Sequence, residues 1–424
     1  MRPPAPPARP APPAPPARGG MTAVSSPTAR GPLSDVRVIE TGTLIAGPFC
    51  GQLLADFGAE VIKVEDPEAG DPMRKWGQKR DGVAMSWPVI ARNKKSVTCN
   101  LRGAEGQGIL RELAASADVL VENFRPGTLE RWGLGYESLR ELNPRLVLVR
   151  VTGYGQDGPY SQRAGFGSIG EAMGGVRHVT GDPDRPPSRV GVSLGDSLAG
   201  TFSALGAVMA LHARHRTGRG QVVDTAIYEA VLALMESLIP EWEVAGFRRE
   251  RSGSTLPGVA PSNSYPTADD AEIIIGANRD TVFARLCEVM GEPELASPER
   301  FGTHDARGEH QEELDRLISS WTRRHPSEEV LGRLHEGGVP AGRVYTAQDM
   351  LRDPHFAARQ AIVRLMHPEL GEFPVQNVVP KLSDTPGDVR SLGPSLGQHN
   401  DEVYGEILGA DGERLRKWRA EGVI

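Results

Sequence analysis

The sequence predicts an α/β protein whose larger part is a parallel sheet covered by helices on both faces. Three observations carry this. From Val36 to Thr152, short apolar runs of strand length alternate with helical patterns, the order that builds parallel βαβ units. Between residues 153 and 206 the alternation gives way to 13 of the chain's 50 glycines, a density suited to sharp turns or close approach to a ligand. Beyond a polar stretch at Arg248 to Ala268, a second and smaller run of strand and helix patterns begins.

Each element follows in order. The first 20 residues hold 9 Pro, 5 Ala and 3 Arg, a composition that favours extended chain and cannot bury a core; Met21 is an alternative start. Val36 to Glu40 reads as a strand, Thr41 to Pro48 as a turn, and Phe49 to Phe57 as a helix stopped by Gly58. Glu60 to Val64 is the next strand. Gly42 and Gly47 do not make GxGxxG and no GxxxxGK[ST] occurs, so a conventional dinucleotide or ATP site finds little support. Ser96 to Asn100 (strand), Glu105 to Ser116 (helix), Asp118 to Glu122 (strand), Gly127 to Trp132 (helix start) and Leu146 to Thr152 (strand) continue the pattern. Ser197 to His215 reads as a helix ended by Gly218, and "QVVDTAIYEAV" as strand then helix. Arg248 to Ala268 reads as loop. "EIIIGA" is a strand, with helices at Arg279 to Met290, Glu309 to Arg324 and Ser327 to Glu336. Val339 to Tyr345 is a strand, residues 360–383 are strands joined by turns, and a last helix falls near Asp401 to Leu408.

The chain has 424 residues, with 48 Lys plus Arg against 55 Asp plus Glu, a net charge of −7. That mild acidity argues against a nucleic-acid partner. The uncharged run Ser197 to Leu211 is too short to span a bilayer and reads as a buried helix, so no membrane partner is expected. Cys50, Cys99 and Cys287 are odd in number and far apart, which excludes a disulfide framework or a cysteine-based metal site and suits a reducing cytoplasm. No signal-peptide pattern is apparent.

Asp196, in "GVSLGDSLAG", is the nucleophile candidate. At a helix start, backbone N–H groups can converge on the carboxylate and keep it ionised, poised to attack an activated acyl carbon. The same position suits an ordinary helix N-cap. Lys94, Lys95, Ser96, Arg102, Arg125 and Arg131 lie near strand ends and helix starts, where each can take a phosphate oxygen or face solvent. His212 and His215 have helical spacing, but their neighbours are Arg, so no metal is expected. No GxSxG elbow occurs at a strand–helix turn, which removes a Ser–His–Asp triad.

Taken together, "GPFCGQLLADFGAEVIKVE", "NKKS", "ADVLVENFRPG", "GYGQDGPYSQRAGFGSIGEAMGG", "GDSLAG", "HRTGRGQVVDTAIYEAV", "GVPAGRVYTAQDMLRDPHF" and "LGQHNDEVYGEILG" resemble, in order from Leu33 to Leu408, the class III coenzyme A transferases, the family of formyl-CoA and carnitine CoA transferases. The resemblance implies a Rossmann-like large domain from both chain ends, a smaller α+β domain between them, and a homodimer of interlocked rings. Composition predicts a disordered Pro-rich tail over 1–30, and the resemblance implies the large CoA-binding domain over 31–225, a linker helix over 226–250, a small domain over 251–338 and a return to the large domain over 339–424. It implies that Asp196 is the nucleophile. It also implies that Ile45, Ala46, Cys99, Asn100, Leu101, Arg102, Asn123, Phe124, Arg125 and Arg131 hold CoA, and that the loop Ser252 to Gly258 covers the site. Acyl-CoA and a small carboxylic acid are then substrates, with no permanently bound cofactor. Several relatives carry an acidic residue where this chain has Gly167, and "RAGFGSIGEAMGG" is more similar to members handling succinyl, malyl or citramalyl groups. The related α-methylacyl-CoA racemases place a His–Asp pair where this chain reads Gly165–Phe166–Gly167, which disfavours that activity. A non-catalytic CoA-binding protein is the other alternative.

Overall fold

A computed structural model describes residues 31–424. The Pro-rich segment 1–30 lies outside the described residues. Six strands form a wholly parallel sheet: β1 (Arg37–Glu40), β2 (Glu60–Glu65), β3 (Lys94–Thr98), β4 (Val119–Glu122), β5 (Val147–Thr152) and β6 (Val222–Ala226). Their spatial order is β3-β2-β1-β4-β5-β6. The winding direction reverses between β1 and β4, and the loops leaving those two strands part to open a crevice.

Successive residues of each strand face opposite layers. Ile39, Ile62, Val97, Leu120 and Leu148 pack with α2 (Ala104–Ala115), α3 (Tyr136–Leu142) and the C-terminal helices. Val38, Val61, Val119, Val147 and Val149 pack with α1 (Ala46–Asp56), α5 (Leu194–Thr217) and α6 (Ile227–Leu232). Both faces are therefore buried, which is why the strands read as continuous apolar runs. A short helix α4 (Gly167–Met173) sits inside the glycine-rich stretch, and residues 226–250 hold two short helices, α6 and α7 (Leu238–Glu243).

Helix α5 is longer than the sequence suggested. It is long and apolar enough to cross a bilayer by length and composition alone. One face, with Ala199, Ala207, Ala210 and Leu211, packs into the sheet's core, while Phe202, Leu205, Val208 and Met209 stay exposed on the other.

The later part carries its own antiparallel sheet, ordered β9-β8-β7, from β7 (Ser262–Pro266), β8 (Glu272–Gly276) and β9 (Ala341–Arg343). Three helices cover it: α8 (Asp280–Met290), α9 (Gln311–Thr322) and α10 (Ser327–Glu336). Strand β7 lies where the sequence suggested loop; Tyr265 is its one buried side chain, so no apolar alternation announced it. A hairpin of β10 (Ile362–His367) and β11 (Gly371–Gln376) follows. The chain then returns to the large sheet. In α11 (Asn400–Leu408), Tyr404 Oη donates to Thr98 O at 2.7 Å and Asn400 is bonded twice to Thr98, fastening the helix to β3. A further helix, α12 (Gly412–Ala420), was not anticipated, because only Leu415 and Trp418 of its mostly charged sequence are buried.

Candidate active site

The crevice is built on buried charge. Glu40, Lys63, Asp71 and Lys94 are nearly inaccessible to solvent. Lys63 Nζ meets Glu40 Oε1 at 3.0 Å, Asp71 Oδ2 at 2.8 Å and Gly42 O at 2.8 Å. Lys94 Nζ meets Glu40 Oε2 at 2.7 Å and Pro48 O at 2.6 Å. Burial works against the Lys63 ammonium, but Glu40, Asp71 and Glu65 outweigh it and its pKa is raised. Burial wins at Lys94, whose pKa is lowered despite Glu40. The network holds the loop leaving β1. Asp71 Oδ1 accepts from Leu44 N at 3.2 Å, steadying a non-glycine residue at φ +66°. Asn123 grips the neighbouring peptide from both sides, accepting from Thr43 N at 2.9 Å and donating to Thr43 O at 2.8 Å. The loop can fold back on the start of α1 because Gly42 and Gly47 touch: a Cβ on Gly42 would stand 3.1 Å from Gly47 Cα.

The loop leaving β4 is fixed in the same way. Glu122 is fully buried and accepts from Phe124 N at 2.6 Å and from Arg150 Nε at 2.6 Å. Phe124 packs edge-on against Trp132, with ring centroids 5.2 Å apart.

Two cavities flank these loops. One, of about 290 Å³, is lined by Lys63, Cys99, Leu101, Arg102, Thr128 and Trp132 among others. The second, of about 260 Å³, is lined by Ile45, Ala46, Asn123, Arg125, Arg163 and Asp196 among others. Thr43 and Phe124 line both. Of the residues expected to hold CoA, Ile45, Ala46, Asn123, Phe124 and Arg125 gather around Asp196, while Cys99, Leu101 and Arg102 line the adjoining space. Asn100 and Arg131 line neither cavity. Asn100 Oδ1 accepts from Arg102 N at 3.2 Å, and exposed Arg131 donates to Thr128 Oγ1 at 2.9 Å. Lys94, Lys95 and Ser96 line neither cavity and are engaged within the protein: Lys94 belongs to the buried network, Lys95 pairs with Glu60 and Glu402, and Ser96 donates to Glu65, while Arg102 pairs with Asp66 at 2.6 Å.

Asp196 is not the N-cap of α5. Ser193 holds that position, and Asp196 stands in the first turn. Nor do backbone N–H groups converge on it, since neither carboxylate oxygen accepts a hydrogen bond among the described residues. Burial, followed by the nearby Glu171 carboxylate, pushes its pKa up to about 6, against the pull of Arg189. The helix start favours the anion, but here desolvation wins. Glu171, on α4, went unnoticed in the sequence, where "GEAMGG" looks like any polar helical turn. It is buried, pairs with Arg177 at 3.0 Å and accepts from Gly195 N at 3.3 Å, so it holds the residue just before the candidate nucleophile. Gly167 lies against the carboxylate: a Cβ there would stand 2.1 Å from Asp196 Oδ2. No histidine lines this cavity among the described residues.

A pH profile tests this arrangement. A nucleophilic carboxylate must be ionised, so kcat/KM is expected to decline as pH falls through about 6. Glu171→Gln removes the second cause of the shift, and the acid limb should move to lower pH yet stay above the ordinary carboxylate range, because burial remains. An acid limb that does not move would disconnect Glu171 from Asp196.

Comparisons with known proteins agree with this geometry. The model of CoA-transferase family III matches residues 33–400. The chain is 60% identical over 402 residues to the succinyl-CoA–D-citramalate CoA-transferase of Chloroflexus aurantiacus, covering 95% of this chain and 100% of the relative. It is 36% identical to the succinate–glutarate CoA-transferase of Agrobacterium fabrum, covering 90% and 97%. The crystal structure of a CAIB/BAIF family protein from Brucella suis superposes with a TM-score of 0.79 at 35% identity, covering 89% of this chain and 100% of that one. Crevice, carboxylate and matched length lead to one conclusion: the chain belongs to CoA-transferase family III and is an enzyme that transfers CoA.

Proposed function

We propose that this CoA transferase takes CoA from succinyl-CoA and passes it to a small dicarboxylic acid through covalent intermediates on Asp196. The observation that carries the reading is the unbonded Asp196 carboxylate in the cavity where Ile45, Ala46, Phe124 and Arg125 meet. The named substrates of the relatives support the choice of donor and acceptor class.

In the proposed cycle an Asp196 oxygen attacks the thioester carbonyl carbon and CoA thiolate leaves, giving a mixed anhydride. The thiolate then attacks the aspartyl carbonyl, releasing the donor acid and leaving an aspartyl-CoA thioester. The acceptor carboxylate attacks that thioester, forming a second anhydride and freeing the thiolate again. Attack of the thiolate on the acceptor's acyl carbon restores Asp196. A carboxylate is a weak nucleophile, so positioning and stabilisation of each oxyanion must supply much of the rate. The first N–H groups of α1, at Ala46 and Gly47, have no helical acceptor and suit that task. The coenzyme lies along the Thr43–Phe124 junction, with its phosphates near Arg102 and Arg131.

An interlocked homodimer belongs to the same proposal, supported by the uncovered apolar face of α5. So do a large domain of residues 31–225 and 339–424 with a smaller one between, and closure by the loop Ser252 to Gly258. A cytoplasmic setting is supported by three free, buried cysteines.

The test is exchange from succinyl-CoA to a panel of carboxylic acids, read by mass spectrometry. New CoA esters of dicarboxylic acids are expected. No ester of any dicarboxylic acid from a folded enzyme would exclude the reading, as would α-deuteration of a 2-methylacyl-CoA in deuterated water without an acceptor.

A further inference from the structure

Two arginines line the Asp196 cavity, and they come from the loops after two different strands. Arg125 follows β4, beside the Phe124 that also lines the neighbouring cavity. Arg163 follows β5, one strand further along the sheet. The neighbouring cavity draws its walls from the ends of β1, β2, β3 and β4, whereas the Asp196 cavity draws its own from the ends of β1, β4, β5 and β6. A coenzyme entering across the Thr43–Phe124 junction therefore meets Arg125 first, and its acyl group extends toward the β5 loop.

Arg163 is held in place without a counterion. Its guanidinium stacks on the Tyr160 ring, 3.6 Å from the centroid, and pairs with no carboxylate among the described residues. Ser161 lines the same wall. The cavity holds about 260 Å³ and both Asp196 and Arg163 line it, so an acyl chain bonded to Asp196 extends into a small space that the guanidinium borders.

We propose that Arg163 is the specificity-determining residue that receives the distal carboxylate of a dicarboxylic acyl group, for donor and acceptor alike. The inference rests on the CoA-transfer reading and adds to it the residue that separates dicarboxylic from monocarboxylic substrates. A guanidinium already flattened on an aromatic ring presents its N–H edge to a carboxylate with little ordering cost. A monocarboxylic chain of the same length gains no charge-assisted bond to that cation, and it would bind less well.

The experiment compares kcat/KM for succinyl-CoA and butyryl-CoA, which differ in a terminal carboxylate against a methyl, with one fixed acceptor. The unsubstituted enzyme is expected to favour succinyl-CoA, and the opposite preference would remove the dicarboxylate reading itself. Arg163→Met is expected to reduce that preference by roughly 100-fold, and Arg163→Lys to recover part of it. Arg125→Met should slow both donors alike. A preference unchanged in Arg163→Met, or an equal loss with both donors, would overturn the assignment of Arg163 while leaving CoA transfer intact. Arg163 is exposed on a loop, and matching melting curves for the Met and Lys variants separate loss of recognition from loss of fold.

Discussion

Replacing Asp196 with Asn is expected to lower CoA exchange by about 10⁴-fold or more, the scale seen when a covalent nucleophile is removed. The substitution keeps the side chain's shape and removes its attacking oxygen. The helix should survive, because Ser193 and not Asp196 holds the cap position and no hydrogen bond to the Asp196 oxygens is lost. Melting of the variant should match or exceed that of the unsubstituted protein, since a partly buried carboxylate beside Glu171 is an unfavourable charge. The intact mass of the unsubstituted enzyme incubated with succinyl-CoA alone should show a covalent adduct, and the variant should show none. Exchange within tenfold of normal in Asp196→Asn and Asp196→Ala would assign the nucleophile elsewhere.

The largest effect on stability is expected at Lys63. Lys63→Met leaves Asp71 without its cation and Glu40 with Lys94 alone, all in a region closed to water. Removing one partner from such a group costs about 3–5 kcal/mol, because the remaining charges stay buried and uncompensated. For a domain of this size that corresponds to a Tm lower by roughly 10 °C. The loop leaving β1 should loosen as well, since the Lys63 bond to Gly42 O goes with it. Thermal unfolding measures the first effect, and a raised KM for acyl-CoA in the surviving folded enzyme measures the second. A Tm within 2 °C of normal would mean that the network relaxes at little cost.

How much of this was legible depends on the kind of signal. The parallel sheet could be read because strands buried on both faces leave unbroken apolar runs, such as Leu146 to Thr152. Strand β7 could not, since Tyr265 alone is buried within it. Helix α12 was hidden for the same reason. Asp196 stood out by resemblance, and the structure places it on a cavity wall. Its environment was not legible: Glu171 lies 25 residues earlier in the chain and reaches it only through the fold. The lysines at 94 and 95 illustrate the opposite error. A basic pair after a turn looks solvated and free, yet Lys94 is one of the most buried charges among the described residues, where its ammonium reaches Glu40, two strands away across β2, at 2.7 Å. Arg163 carries no local mark at all, because what distinguishes it is a missing partner.

The contact between Gly167 and Asp196 ties two positions 29 residues apart into one steric unit. Any side chain at 167 forces the carboxylate into another rotamer, so neither residue can be exchanged with a relative's independently. Effects of substitutions at the two positions should not add, and a chimera importing an acidic residue at 167 alone would carry a nucleophile aimed along the wrong path.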